Sequence, residues 1–137
     1  MNEIKCLFLL LSVLIFSQSI FSENRSQNDS TLNLSVESED LDIYGIDQEQ
    51  YMGRDDIKNI VFHDSLLTIG MSAFKACQNL TDLRIPKRCE DIQDSAFLGC
   101  ESLRTIKWPD SLKSIGNSAF KGCTNLTDIV IPKGCQY

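Results

Sequence analysis

The stretch Ser72 to Pro86, SAFKACQNLTDLRIP, is written twice more, as SAFLGCESLRTIKWP from Ser95 to Pro109 and SAFKGCTNLTDIVIP from Ser118 to Pro132. The period is 23 residues. Ala73-Phe74, Ala96-Phe97 and Ala119-Phe120 head the copies, followed at constant spacing by Cys77, Cys100 and Cys123 and by Leu80, Leu103 and Leu126. Leu83, Ile106 and Ile129 come next, and Ile85-Pro86, Trp108-Pro109 and Ile131-Pro132 close the units. One such unit cannot bury its apolar face without a neighbour, so this period predicts stacked coils rather than a globular core. The constant positions are scaffold, and function must lie in what varies.

Counting back 23 residues sets Tyr51 under Phe74, Ile57 under Leu80, Ile60 under Leu83 and Phe62 under Ile85, a fourth and degenerate coil. A longer period overlies the first. Asp64 to Lys87 matches Asp110 to Lys133 at 17 of 24 positions, whereas a 23-residue shift matches at only 7 of 23, so the duplicated unit is two coils. Within each coil Leu83-Arg84-Ile85, Ile106-Lys107-Trp108 and Ile129-Val130-Ile131 predict a short strand with one buried face. Proline, lacking a backbone donor, ends each strand. A further apolar pair follows (Leu66 and Ile69, Cys89 and Ile92, Leu112 and Ile115), and Ser-Ala-Phe then leads into a tight turn. Trp108 shares the inward column of Ile85 and Ile131 and reads as an oversized core residue.

This motif resembles the BspA-type class of leucine-rich repeats, from Ile43 to Tyr137. The resemblance implies a right-handed solenoid of 23-residue coils with short parallel strands. It also implies kinship with secreted or surface-displayed microbial proteins, several linked to adhesion to host or matrix molecules.

Composition sorts the chain into three parts. Residues 1–22 carry Lys5, an apolar run from Cys6 to Phe16, and the small residues Ser17, Ser19 and Ser22. That layout predicts a secretory signal peptide cut after Ser19 or Ser22, because the run is shorter than the ~20 residues a membrane-spanning helix needs. From Glu23 to Asp56 there are ten acids and two bases, and from Ile57 onward eight acids and ten bases. Residues 23–42 are expected to be an acidic disordered spacer, with too little apolar surface to offset chain entropy. Residues 43–137 are expected to form the solenoid, with about four coils, the first degenerate and the last incomplete. The net charge of −6 contains no run of bases, which argues against a nucleic-acid partner.

The sequence predicts a chain that is not an enzyme and needs no cofactor or metal. His63, the sole histidine, takes the place of proline in its coil and reads as an exposed turn residue, which leaves no base to serve a nucleophile. Gly-rich phosphate loops, HExxH and EF-hand spacings do not occur. Six cysteines in an exported chain would ordinarily suggest disulfides. Here Cys6 leaves with the signal, while Cys77, Cys100 and Cys123 share an inward column and are expected to be buried free thiols. Cys89 and Cys135 share another column with Leu112 between them. Sequons, which would be glycan sites in a secreted eukaryotic protein, begin at Asn24, Asn28, Asn33, Asn79 and Asn125; the last two arise from the repeat itself, and the first three, in the segment expected to be flexible, are the better candidates.

The alternation of each strand turns one row outward, Val61, Arg84, Lys107 and Val130, and a second, Asn59, Asp82, Thr105 and Asp128. These eight residues are the expected binding surface. The function this supports is a secreted or surface-displayed interaction or adhesion module, binding a protein or glycan on host or matrix. The alternative is a partial repeat protein with a structural role, self-associating through an uncapped last coil whose open edge is expected at Ile129 to Ile131.

Overall fold

Alternating side chains with prolines between them can satisfy their backbone only by pairing with the same segment of the next coil, and a computed structural model of the chain shows this arrangement. The structure describes residues 22–24, 30–35 and 45–136. The strands are β1 (Ser22–Asn24), β2 (Thr31–Ser35), β3 (Gly45–Ile46), β4 (Asn59–Val61), β5 (Thr68–Ile69), β6 (Asp82–Arg84), β7 (Asp91–Ile92), β8 (Thr105–Lys107) and β9 (Ser114–Ile115). One sheet has the order β1-β2-β4-β6-β8 and the other β3-β5-β7-β9. Pairs such as Asp82 with Thr105 and Thr68 with Asp91 lie parallel and 23 residues apart, so the predicted solenoid of 23-residue coils is the observed fold.

A third ladder runs through the turns. The Phe74 amide donates to Ala96 O and the Phe97 amide to Ala119 O, both at 2.8 Å, and the Ala76 and Gly99 amides donate to Leu98 O and Lys121 O at 2.7 and 2.8 Å. These inter-rung bonds hold Ser72, Ser95 and Ser118 at φ of 55 to 58°, a left-handed conformation that costs a non-glycine residue roughly 1–2 kcal/mol. The Ser-Ala-Phe turn is therefore bonded to its neighbours as a strand would be.

Inside, Tyr51, Phe74, Phe97 and Phe120 stack with ring centroids 5.2 to 5.3 Å apart and planes within 9° of parallel. The alanines before the three phenylalanines are buried and leave the stack room. Each ladder cysteine donates from Sγ to the carbonyl of the aromatic residue one rung back: Cys77 to Tyr51, Cys100 to Phe74 and Cys123 to Phe97, at 3.2 to 3.3 Å. All three are buried free thiols, as is Cys89.

The two-coil period also has a structural cause. A Cβ at Gly70 would stand 2.3 Å from Ile46 O, and one at Gly116 would stand 2.4 Å from Asp94 N. The rung between them supplies polar side chains instead. Gln93 Oε1 accepts from the Met71 amide at 2.9 Å, and Asp94 Oδ1 accepts from the Asn117 amide at 2.7 Å. A glycine rung fits against a polar rung, and the pair is the unit that repeats.

Several expectations need correction. The acidic segment is not disordered throughout. Thr31–Ser35 forms β2 with Leu32 and Leu34 buried, pairing parallel with β4 at a 28-residue offset, and β1 closes that end of the sheet antiparallel. Two leucines with the right alternation suffice, because β4 offers them an apolar column to cover. Ile69, Ile92 and Ile115, the second members of the further apolar pairs, each end a two-residue strand that is too short to show alternation. Ile129, assigned to the inward column, is 47 % exposed, and residues 126–131 pair with no strand, so the open edge is that of β8. Among the described residues no further rung covers Ile129. Trp108 is only half-buried. The expected signal peptide lies outside the described residues except for Ser22, where β1 begins.

Two measurements check this packing. Ala76 sits at φ 59° where the other rungs place Gly53, Gly99 and Gly122. Ala76→Gly should relieve left-handed strain and, after the entropy cost of a glycine, gain roughly 0.5–1 kcal/mol in urea unfolding. A lower midpoint would contradict the strain.

Burial raises the thiols of Cys77 and Cys123 to about 11 and that of Cys89 to about 12, from an ordinary 9.0. The folded chain thus keeps protons that the unfolded chain has released. The contribution is complete below about pH 9 and is lost as pH rises from 9 through 11 to 12, at about 1.4 kcal/mol per pH unit per thiol. Cys77→Ala should flatten the alkaline loss in a denaturation series by one thiol's share. An unchanged slope would mean that the thiol is already ionised or accessible in the native state.

Candidate functional site

The outward face of the larger sheet follows from the buried–exposed alternation of its strands. Leu83 is buried between exposed Asp82 and Arg84, and Ile60 between exposed Asn59 and Val61. Register then assembles two rows. Asn33, Val61, Arg84 and Lys107 lie side by side on β2, β4, β6 and β8, and Thr31, Asn59, Asp82 and Thr105 run parallel to them. Six of the eight predicted residues therefore share one face, and Asn33 and Thr31 extend it. Asp128 and Val130 are exposed, Val130 to 80 %, but follow the last paired strand and do not join the rows.

Charge on this face is arranged rather than scattered. Thr105 Oγ1 donates to Asp82 Oδ1, which holds the Asp82 carboxyl below its ordinary value, with Arg104 and Lys107 adding in the same sense. A matching pair, Ser114 Oγ to Asp91 Oδ1, bridges the second sheet. Arg84 and Lys107 stand beside each other with no ion-pair partner among the described residues, whereas Lys113 is paired with Glu90 and Arg54 with Asp56.

At the carboxyl ends of β6 and β8 the face opens into a cavity of about 530 Å³, lined by Arg84, Lys87, Lys107, Trp108 and Asp110. Trp108 meets Phe120 edge to face, with centroids 5.5 Å apart and planes at 82°. Its ring is braced by the core on one side and reaches the cavity on the other. Sequence reasoning placed Arg84 and Lys107 but assigned Trp108 to the core and passed over Lys87. The signal available was a lone tryptophan beside a lysine at the point where the chain leaves the sheet. A second cavity, of about 500 Å³, lies over β5, β7 and β9 and is lined by Met71, Asp91, Asp94 and their neighbours.

His63 is exposed in its turn, with Nδ1 2.7 Å from Ser65 Oγ and accepting from the Ser65 amide at 3.2 Å. No group of three His, Cys, Asp or Glu among the described residues is placed to share a metal ion. Of the sequons, Asn33 is exposed on β2 with Asn24 paired opposite it, and Asn28 lies outside the described residues. Asn79 and Asn125 are exposed, but each Nδ2, the atom a glycan would modify, donates at 2.7 Å to a carbonyl of the preceding coil, that of Asp55 or Glu101. These asparagines serve the ladder.

The model of the BspA type leucine rich repeat region matches residues 45–137, in six copies. No curated protein sequence matches the chain. Among solved structures, a leucine-rich repeat protein from Bacteroides ovatus is 35% identical over 60% of this chain, with a TM-score of 0.59. The T. pallidum leucine rich repeat protein aligns over 85% of the chain at 22% identity with a TM-score of 0.72. A leucine rich cell surface protein from Faecalibacterium prausnitzii aligns over 78% at 22% identity with a TM-score of 0.57. The chain spans 21%, 60% and 36% of the lengths of these three proteins, respectively.

The ladder role of the repeat asparagines predicts that Asn79→Ala, which removes a hydrogen bond between coils, lowers stability by about 1 kcal/mol. Thermal or urea unfolding of the unglycosylated protein would measure it. A neutral result would return Asn79 to the class of free surface residues.

Proposed function

We propose, from the premise that this chain belongs to the BspA type leucine rich repeat family, that it is an exported interaction module which attaches to a protein or glycan of a host or matrix. The observation that carries the proposal is the outward face of the larger sheet. Its inward columns stay apolar from rung to rung, while the outward rows change from Val61 to Arg84 to Lys107. Outward charge that is already neutralised does nothing for a partner. Arg84 and Lys107 instead keep their donors available beside the half-buried Trp108. Rigid strands hold these groups at fixed spacing, so binding costs little conformational entropy.

Export is proposed on the short apolar run at residues 1–22 and on likeness to a protein described as a leucine rich cell surface protein. The repeats of this family are scaffolds for contact rather than catalysis, and the adhesive reading follows that use. A second reading has its own observation. Among the described residues the far edge of β8 has no pairing strand, and Ile129 and Val130, which follow it in sequence, are 47 % and 80 % exposed, a surface suited to self-association.

Both readings can be tested on the full chain. Arg84→Glu combined with Lys107→Glu should leave unfolding within about 0.5 kcal/mol of the parent, because both side chains are exposed. Capture by a panel of immobilised matrix proteins should fall. A folded variant that is captured as well as the parent would move the binding surface elsewhere. Sedimentation across a range of concentrations separates the second reading: a monomer throughout would exclude assembly through β8.

A further inference from the structure

We infer that the cavity at the carboxyl ends of β6 and β8 binds one carboxylate-bearing sugar residue. This rests on the interaction-module reading and names the chemistry its face would recognise. The cavity, at about 530 Å³, is within the range of small-molecule sites. Three cations, Arg84, Lys87 and Lys107, line it with one acid, Asp110, a local charge of +2 that equals the whole excess of bases over acids from Ile57 onward. That concentration of positive charge steers an anion to this place.

The cations are limited in extent. Across the row, Arg84 and Lys107 are flanked on β4 by Val61, and on the other side Val130 follows the last strand. A long polyanion crossing the row would meet cations on two adjacent rungs only, so the surface suits a single anionic unit within a mostly neutral chain. The Arg84 guanidinium offers the paired donors that match a planar carboxylate, and Lys107 and Lys87 supply point charges beside it. Asp110 provides an acceptor for hydroxyl groups. Trp108 gives the apolar surface on which the carbon face of a pyranose can lie, and its edge-to-face contact with Phe120 fixes the ring in place. No other rung combines these groups: the Trp108 position is Phe62, Ile85 or Ile131, and the Lys107 position is Val61, Arg84 or Val130.

Trp108 is the only tryptophan in the chain, so tryptophan fluorescence comes from a side chain that lines this cavity. The full chain would be titrated with an unsulfated glucuronic acid–N-acetylglucosamine tetrasaccharide, with sialyllactose, and with the tetrasaccharide after its carboxyl groups have been reduced to alcohols. A saturable change in Trp108 emission with either carboxylated sugar is expected, with affinity lower by about tenfold or more for the reduced sugar. Arg84→Gln with Lys107→Gln should weaken carboxylate binding by a similar factor. Trp108→Ile, which restores the residue of the adjacent rungs, should abolish binding measured by calorimetry while the chain still unfolds cooperatively. Equal binding of the reduced sugar, or stronger binding of a sulfated tetrasaccharide than of the carboxylated one, would overturn the assignment. If no sugar binds while matrix proteins are still captured through Arg84 and Lys107, the saccharide inference fails and the interaction module stands. If neither binds, both fail.

Discussion

Main-chain hydrogen bonding between one rung and the next is the constraint from which the rest of this molecule follows. Each internal coil has three sides, two short strands and the Ser-Ala-Phe turn, and on every side main-chain hydrogen bonds run to a neighbour about 23 residues away. Strands of two and three residues would not persist alone. They persist because the aromatic stack beneath them fixes the same spacing, each ring pair adding ~0.5 to 1.5 kcal/mol beyond burial. The cysteine column belongs to the same system, since a small thiol can enter the core and still donate to a carbonyl one rung back. An alanine would fill less space and offer no donor.

The repeat made much of this legible from sequence. The inward columns, the buried thiols and the outward positions on β4, β6 and β8 followed from a period of 23 and a strand alternation of two, because both rules act on every copy and their agreement is self-checking. Where the copies stop, the same reasoning loses its footing. Thr31–Ser35 was hidden because its offset is 28 residues and its surroundings are rich in serine, asparagine and acid. Ile129 was placed inward by column, yet a column buries a residue only when a rung lies beyond it. The two-residue strands of the second sheet are shorter than any alternation can reveal.

Trp108 shows a different limit. Its column is right, but a column gives only direction, and an indole in a space sized for isoleucine cannot be wholly enclosed. The excess of ring over available space becomes one wall of a cavity, beside cations that the sheet has already turned outward. Variation of side-chain volume within a conserved column is thus a way for a repeat protein to gain a recess without altering its backbone. The neighbouring rungs remain as templates of the unmodified surface.

The two ends of the larger sheet are unlike. At one, the edge strand β1 runs antiparallel to β2; at the other, the edge strand β8 runs parallel to β6. The two edges therefore differ in what they offer a neighbour: β8 offers a further parallel strand in the 23-residue register, and β1 offers a strand of reversed direction. A copy laid against β8 would keep the alternation of glycine and polar rungs only if coils were added in twos.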